Sequence, residues 1–432
     1  MLEGPTRALV PSTDRMKILI VSQYYPPEVN APANRVAGLA RVWSDEGHQV
    51  SVLTGFPNHP EGRVYPGYRA HLPKTEFDHG VRIQRSPVFT AANEGIVLRS
   101  LAYASFSASV TLLAPFLCAR PDVVIATSPP LLVGVAGAAL ALYWRRPLVL
   151  EVRDLWPDSI SAVGVVPGGH PAIRGLHVLE RALYRRAKRV TVVSRAFEPV
   201  LKERGVTASN IIYAPNGVDT DLFHVNGAKD EGQERWQDKF LVCFAGTVGM
   251  AHGIGTVLET ARKLREHKDI LFLIVGEGAE RKSLETKAQR DGLDNVEFLG
   301  RLPRHRIPPL LRRADAALVM LRADPVFETV LPSKLFEAMG CGTPVLLGVD
   351  GEARRLIESA QAGVFFEPGD ADALARSVLK LRESPDKRRR LGARGSRYVM
   401  EHFNRRTLAL DYLRDISNMI DNTCSTSPNQ AA

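Results

Sequence analysis

From Lys17 onward, short unbroken apolar runs alternate with stretches whose apolar positions recur every three or four residues. In the first half the runs are KILIVSQ (17–23), QVSVLTG (49–55), DVVIATS (122–128), PLVLEVR (147–153) and RVTVVS (189–194). Continuous runs rich in Val and Ile predict strands covered on both faces, as in a parallel sheet. Helical stretches lie between them, such as Asn34 to Glu46 and His177 to Lys188. The second half repeats the scheme with FLVCFAG (240–246), ILFLIVG (270–276), NVEFLG (295–300), AALVML (316–321), PVLLG (344–348) and GVFF (363–366). Thr256–His267 and Ala279–Asp291 are helices there. Two β-α-β arrays in series predict an α/β protein of two doubly wound, Rossmann-like domains, each with its ligand edge at the strand C-termini and the two facing across a cleft.

The seam falls near IIYAPNGVDTDLF (211–223), where Pro215 breaks a strand and Asn216-Gly217 signals a turn. This gives a first domain over 16–214 and a second over 215–403. A helix over 404–420 follows, with Leu408, Tyr412, Leu413, Ile416 and Ile420 on one stripe, and it is expected to cross back to the first domain. Residues 1–15 form an extension without the apolar region of a signal peptide. Residues 421–432 form a polar tail. Leu101–Cys118 has no charge but holds Ser105, Ser107, Ser109, Thr111 and Pro115, which suits a membrane span poorly. It reads as a core helix or as a helix that touches a bilayer. Leu131–Trp144 is too short to span and reads as a buried crossover helix.

Composition adds little to the fold but something to the partners. Of 432 residues, 45% are hydrophobic and 24% charged, ordinary for a globular chain. The formal charge is +9, and most of the surplus lies in residues 1–200. An anionic partner near that half is expected, such as a membrane surface, a phosphate-bearing acceptor or nucleic acid. The four cysteines, Cys118, Cys243, Cys341 and Cys424, show no CxxC spacing, so neither a zinc site nor a redox motif is indicated.

Chemistry concentrates in three loops. After the first strand comes PPEVNAPANR (26–35), whose small residues Asn30 and Ala31, with Asn34 and Arg35, would let helix N–H groups approach an anion. After the second domain's first strand comes AGTVGMAHGIG (245–255). Its glycines, Gly249 among them, bare the backbone for a diphosphate, and His252 adds a donor. In LPSKLFEAMGCGTPVLLG (331–348), Ser333 is the expected N-cap and Lys334 lies in the first turn. The helix dipole disfavours a lysine there, so a nearby anion accounts for it. Glu337, one turn on, suits the hydroxyls of a ribose. No catalytic triad order, HExxH, P-loop or GxGxxG after the first strand is present.

PNGVDTDLF (215–223), FLGRLPRHRIPPLLRRADAALVML (298–321) and KLFEAMGCGTPV (334–345) together closely resemble the retaining glycosyltransferases of family 4, with the GT-B fold, over about Met16 to Ile420. SQYYPPEVNAPANR, GHQVSVLTGFPNHPEGRVYPGYR (47–69) and RDLWPDS (153–159) resemble more narrowly the bacterial surface-polysaccharide branch, which includes N-acetyl-L-fucosamine transferases.

The resemblance implies that Glu337 holds the donor ribose, as the second glutamate of an E-x7-E motif. The first glutamate's place falls at Thr329, with Glu328 beside it, as the sugar contact. The basic pair on the diphosphate falls at Thr247 and His252, and Lys334 and Arg301 are expected to supply the missing charge. Backbone at Arg301 and Leu302 lies where the base is held, and Ser333 and Leu335 complete the donor site. Arg153 replaces a histidine that reads the donor's 6-hydroxyl, and Asp154 keeps the next position.

The expected activity is transfer of a sugar, an N-acetylated 6-deoxyhexosamine, from a UDP-sugar with retention. The acceptor is a polyprenyl-diphosphate-linked saccharide used for O-antigen or capsule. No metal and no cofactor beyond the donor is expected, and no nucleic acid. The location is cytoplasmic, on the inner face of the plasma membrane. A nucleotide-sugar 2-epimerase of similar fold is the enzyme alternative. A protein that binds anionic membrane or nucleic acid without catalysis is the other.

Overall fold

The computed structural model describes residues 15–59, 62–68, 72–90, 96–162, 164, 166–167, 169–227 and 234–425. The expected extension and most of the tail lie outside these. The described strands are β1 (Lys17–Val21), β2 (Gln49–Gly55), β3 (Lys74–Asp78), β4 (Val81–Ser86), β5 (Val123–Ser128), β6 (Leu148–Val152), β7 (Arg189–Val192), β8 (Ile211–Tyr213), β9 (Phe240–Ala245), β10 (Ile270–Val275), β11 (Val296–Gly300), β12 (Ala316–Met320), β13 (Val345–Gly348) and β14 (Gly363–Phe365). They form two sheets, ordered β3-β4-β2-β1-β5-β6-β7-β8 and β11-β10-β9-β12-β13-β14. Every pairing is parallel except β3 with β4.

Alternation along the strands divides the core. Leu19 and Val21 join one cluster while Ile18 and Ile20 join another on the opposite face. Leu241 and Cys243 likewise face one way, and Phe240, Val242 and Phe244 the other. Each sheet is thus covered on both sides, which is why its strands read as unbroken apolar runs.

All eleven strands expected from those runs are present. β8 is the strand that Pro215 breaks, whereas β3 and β4 were not anticipated. β4 hid because polar side chains occupy its buried positions: Gln84 and Arg85 are fully buried. Arg85 pairs with Glu76 at 2.6 Å and donates to the Pro26 carbonyl at 2.6 Å. The β3–β4 hairpin turns on His79 and Gly80, both at positive φ.

The chain crosses between domains twice, side by side. The Val218 amide donates to the Phe403 carbonyl at 2.9 Å and the Arg405 amide to the Val218 carbonyl at 3.0 Å. A Cβ on Gly217 would lie 2.8 Å from the Arg405 Cα, so a side chain there would push the crossings apart. The terminal helix Arg405–Ser425 runs five residues beyond the expected end at 420. Its Ala409, Tyr412, Leu413, Ile416 and Met419 pack into the first domain. Leu408, placed on the same stripe by periodicity, packs instead against the second domain's core. The helix seats on Ala31–Asp45, where Trp43 donates to the Ala409 carbonyl at 2.8 Å and meets the Tyr412 ring edge-on at 5.6 Å.

The Ile96–Leu117 helix is long and apolar enough to cross a membrane, yet only 22% of its apolar window is buried. Phe106, Val110 and Ala114 face the core. Leu101, Leu112 and Phe116 lie exposed on the other side, Phe116 at 86%. The helix is therefore not simply a core helix. Leu131–Trp144 is a crossover helix as expected, with Leu142 and Tyr143 exposed at its end.

Trp43 is wholly buried and joins the first and last helices of the first domain's layer. Trp43→Ala should cost about 3–5 kcal/mol, the range for emptying a large aromatic site. Denaturant unfolding followed by circular dichroism measures it.

Candidate functional site

The C-terminal edges of the two sheets face each other, and the residues singled out from sequence gather there. On the second domain, the β9 loop begins at Gly246, whose φ of 154° and close approach to Lys334 suit glycine. Gly249 opens a short turn, Met250–His252. Lys334 sits in the first turn of the Ser333–Gly340 helix. That helix has Pro332 as its N-cap, so Ser333 is its first residue and not the cap expected from sequence.

The Lys334 ammonium is buried, 4.0 Å over the Phe244 ring, and has no hydrogen-bond partner. Burial pushes it down to about 7. His252 packs edge-on against the same ring at 5.8 Å, and its Nδ1 is also buried and unpartnered. Burial, with the nearby Lys334 charge, holds its pKa well below the ordinary histidine value. A buried ammonium without an acceptor is costly and calls for an anionic ligand. The unpartnered His252 nitrogen beside it is a further polar contact, and the bare glycine loop supplies backbone donors.

Glu337 lies on the same helix, 3.9 Å from Arg304, whose Nη2 is buried without a hydrogen bond. Burial raises the Glu337 pKa, while Arg304, Arg405 and Lys334 oppose that rise. Arg304 and Arg405 were missed in the sequence. The basic run from Arg301 to Arg306 was the available signal for the first. Leu302 packs half-buried against the second core, and the Leu335 side chain is wholly inside it, leaving no side-chain atom for a ligand. Arg301 is exposed and its charge reaches His59 of the first domain, where it adds to burial in depressing that imidazole's pKa. Arg301 therefore faces the opposite wall of the cleft.

Thr329 and Glu328 belong to the Pro325–Thr329 turn. Glu328 is exposed, and the Thr329 hydroxyl donates to the Val326 carbonyl at 2.6 Å.

On the first domain, Asn30 caps the Ala31–Asp45 helix by accepting from the Ala33 amide at 2.9 Å. Ala31, Asn34 and Arg35 share one interdomain cavity with Ser333, Glu337 and Arg405. Arg35 is not free to hold a phosphate. Its five N–H donors reach both oxygens of Glu151, the Ala214 and Pro215 carbonyls and the Asn216 side chain.

Arg153 lies at the end of β6, where Glu151 comes within 3.9 Å of its Nε and the Pro129 carbonyl accepts from Nη2 at 3.2 Å. Its Nε is buried without a hydrogen bond, and burial brings its pKa down to about 10. Asp154 is turned to Ser159, whose hydroxyl donates to it at 2.5 Å, and burial raises its pKa. The carboxylate nearest Arg153 is thus Glu151 rather than Asp154. Tyr24 and His59 meet edge-on at 5.4 Å beside this wall, and sequence reading had given neither a role. Among the described residues no cluster of three His, Cys, Asp or Glu could hold a metal.

Two family models match the chain. "Glycosyl transferase 4-like domain" covers residues 30–217 and "Glycosyl transferases group 1" covers 228–398. The putative colanic acid biosynthesis glycosyl transferase WcaI of Escherichia coli is 28% identical over 84% of this chain and 91% of its own length. The probable glycosyltransferase WbjE of Pseudomonas aeruginosa is 29% identical over 61% of the chain and 67% of its own length. Among solved structures, sucrose-phosphate synthase of Thermosynechococcus elongatus aligns with a TM-score of 0.76 at 20% identity, covering 94% of this chain and all of that one. HepE of Anabaena in complex with UDP-glucose aligns with 0.68 at 19%, again over 94% and all of that chain. These likenesses fix the fold as GT-B.

At about pH 8, Lys334 is mostly neutral and should regain its proton when an anion binds beside it. Inorganic diphosphate binding, measured calorimetrically in Tris and in HEPES, should then show uptake of up to about one proton. The part of the uptake that is absent in Lys334→Met should shrink towards about pH 6, where Lys334 is already charged, while the diphosphate's own titration is common to both proteins.

Proposed function

The chain is a glycosyltransferase with the GT-B fold, pairing a glycosyl transferase 4-like domain with a group 1 domain, and from that premise we propose that it moves a sugar from a UDP-linked donor to a lipid-linked saccharide, with retention, in surface polysaccharide assembly. The observation that carries the donor half is the buried, unpartnered Lys334 ammonium beside Gly246 and His252. A diphosphate seated there meets Lys334, the His252 ring and the bare backbone of the β9 loop. Arg304 lies next to Glu337, which accepts from the ribose hydroxyls. HepE bound to UDP-glucose and the colanic-acid relative support this reading.

As the bond from the anomeric carbon to the diphosphate oxygen breaks, negative charge grows on the leaving group. Fixed positive groups stabilise that charge more than the ground state. The acceptor hydroxyl attacks from the same face, and its proton passes to the departing phosphate oxygen. No side-chain base and no metal enters this scheme. Closure of the cleft excludes water, which would otherwise intercept the donor.

The donor sugar is proposed as an N-acetylated 6-deoxyhexosamine. A guanidinium only donates and stays charged, so Arg153 cannot accept from a 6-hydroxyl as a neutral imidazole would. The Glu328–Thr329 turn approaches the sugar from the second domain.

The acceptor is proposed as polyprenyl-diphosphate-linked, reached at the inner face of the plasma membrane from a cytoplasmic enzyme. The exposed apolar side of Ile96–Leu117, with Leu142 and Tyr143, supports this. Arg120 and Arg145, both exposed, follow the ends of those two helices, and basic side chains beside apolar ones favour an anionic bilayer.

A donor panel read by UDP release tests the function. A UDP-linked 6-deoxy-N-acetylhexosamine should exceed UDP-GlcNAc and UDP-glucose, and Arg153→His should recover use of the latter two. Preference of the wild type for a donor with a 6-hydroxyl refutes the sugar assignment.

Flotation with liposomes tests the membrane. Binding should rise with anionic lipid and fall with salt, and Leu112→Glu with Phe116→Glu should abolish it. Equal, negligible binding to neutral and anionic vesicles would point to a soluble acceptor.

A further inference from the structure

The Pro325–Thr329 turn is held from both domains. Beneath it lies Gly351, at a φ of 73°, where an added Cβ would come 2.1 Å from the Glu328 carbonyl oxygen. Phe327 anchors the turn in the second core. From the first domain, Ala162 of the Trp156–Ala162 helix packs against that same core, and the Ser194 hydroxyl reaches the Thr329 carbonyl. That hydroxyl has a single proton, which it shares between the Thr329 carbonyl and the carboxylate of Glu352, the residue after Gly351. Glu352 accepts in addition from the Arg195 amide at 3.0 Å and the Ala196 amide at 2.6 Å. One second-domain carboxylate therefore takes two backbone amides and a share of one hydroxyl proton from the segment that follows β7, and its neighbour supports the sugar-facing turn.

We propose that Ser194 and Glu352 are positioning residues that tie closure of the two domains to the placement of the Glu328–Thr329 turn against the donor sugar. The proposal rests on the reading of that turn as the sugar contact. Neither side chain touches the diphosphate loop, so neither adds to nucleotide affinity. Their bonds exist only when the domains meet, because the donors lie on the first domain and the acceptors on the second. When they form, the Thr329 carbonyl is held by a hydroxyl of the first domain and the turn has one resting place. Misplacing a sugar by even about 1 Å lowers turnover steeply, up to around a hundredfold. A looser closure also admits water, so donor hydrolysis should grow relative to transfer.

The test uses the full chain with Glu352→Ala, Glu352→Gln, Ser194→Ala and Ser194→Thr. Glu352→Ala and Ser194→Ala should lower kcat roughly tenfold or more, with the affinity for UDP within about twofold of wild type. UDP release without acceptor should rise as a fraction of total turnover. Ser194→Thr keeps the hydroxyl and should retain kcat. Glu352→Gln keeps the shape but sets an amide against backbone amides, and should resemble Glu352→Ala. A kcat within twofold of wild type for Glu352→Ala overturns the proposal. So does a parallel fall of kcat, UDP affinity and Tm, which marks a merely structural contact.

Hydrogen exchange separates this outcome from failure of the function itself. In the wild type, UDP should slow exchange in peptides spanning 194–197 and 326–331 together, and Glu352→Ala should remove that coupling. If the wild type transfers from no donor, the functional reading fails, while the exchange result still decides whether closure and turn are linked.

Discussion

Arg35 is the residue on which the arrangement of the two domains turns. It sits in the first helix, is 9% exposed, and faces a carboxylate, Glu151, that is 1% exposed. Its remaining donors fix the carbonyls of Ala214 and Pro215, where the chain leaves the first sheet. A buried pair of this kind adds little net stability, but breaking one member costs about 3–5 kcal/mol because the other charge is stranded. What it secures here is direction. The exit segment must leave β8 at one angle, the returning segment pairs with Val218 beside it, and the cleft is defined by that pair of crossings.

The same carboxylate explains an imbalance across the cleft. Glu151 serves Arg35 at 3.1 Å and approaches Arg153 only to 3.9 Å. One negative charge thus stands between two guanidiniums, and the Arg153 Nε is left unpartnered. Opposite, Lys334 has Phe244 beneath it and no hydrogen-bond acceptor. Both walls therefore carry a buried cationic group with a nitrogen left without a hydrogen-bond acceptor. A diphosphate on one side and a phosphate-bearing acceptor on the other would complete both, and each would be held more firmly for the low polarity around it.

The layered fold was legible because sheets covered on both faces need continuous apolar runs, and those runs survive in any context. The crossings were half legible: Pro215 and Asn216-Gly217 announce a break, while the partner of that break, Phe403–Arg405, lies nearly two hundred residues away and carries no local signal. Leu408 shows the same limit. Periodicity put it on one stripe with Tyr412, but it lies at the crossing and serves the other core. For the site, glycines, Lys334 and Glu337 stood out because their positions on a loop or first turn make poor sense without a ligand. Arg304 and Arg405 did not, since an arginine on a helix or loop reads as a solvated charge until a buried carboxylate is seen beside it. Arg35 was assigned to an anion for the same reason. Its true acceptors, a strand carboxylate and two carbonyls of a distant segment, meet it only in three dimensions.

The terminal helix has a consequence for how the protein is made. The face of the first domain built from Val36, Ala40 and Trp43 is covered by residues beyond Arg405, which are translated after the whole second domain. Throughout synthesis of the second domain, that face has no cover from its own chain. The usual order, in which the N-terminal domain is finished before the next begins, is not available to this fold. The first domain remains incomplete until the Arg405–Ser425 helix emerges, and during that interval its open apolar strip is a place where a holding chaperone would act and where premature release would lead to aggregation.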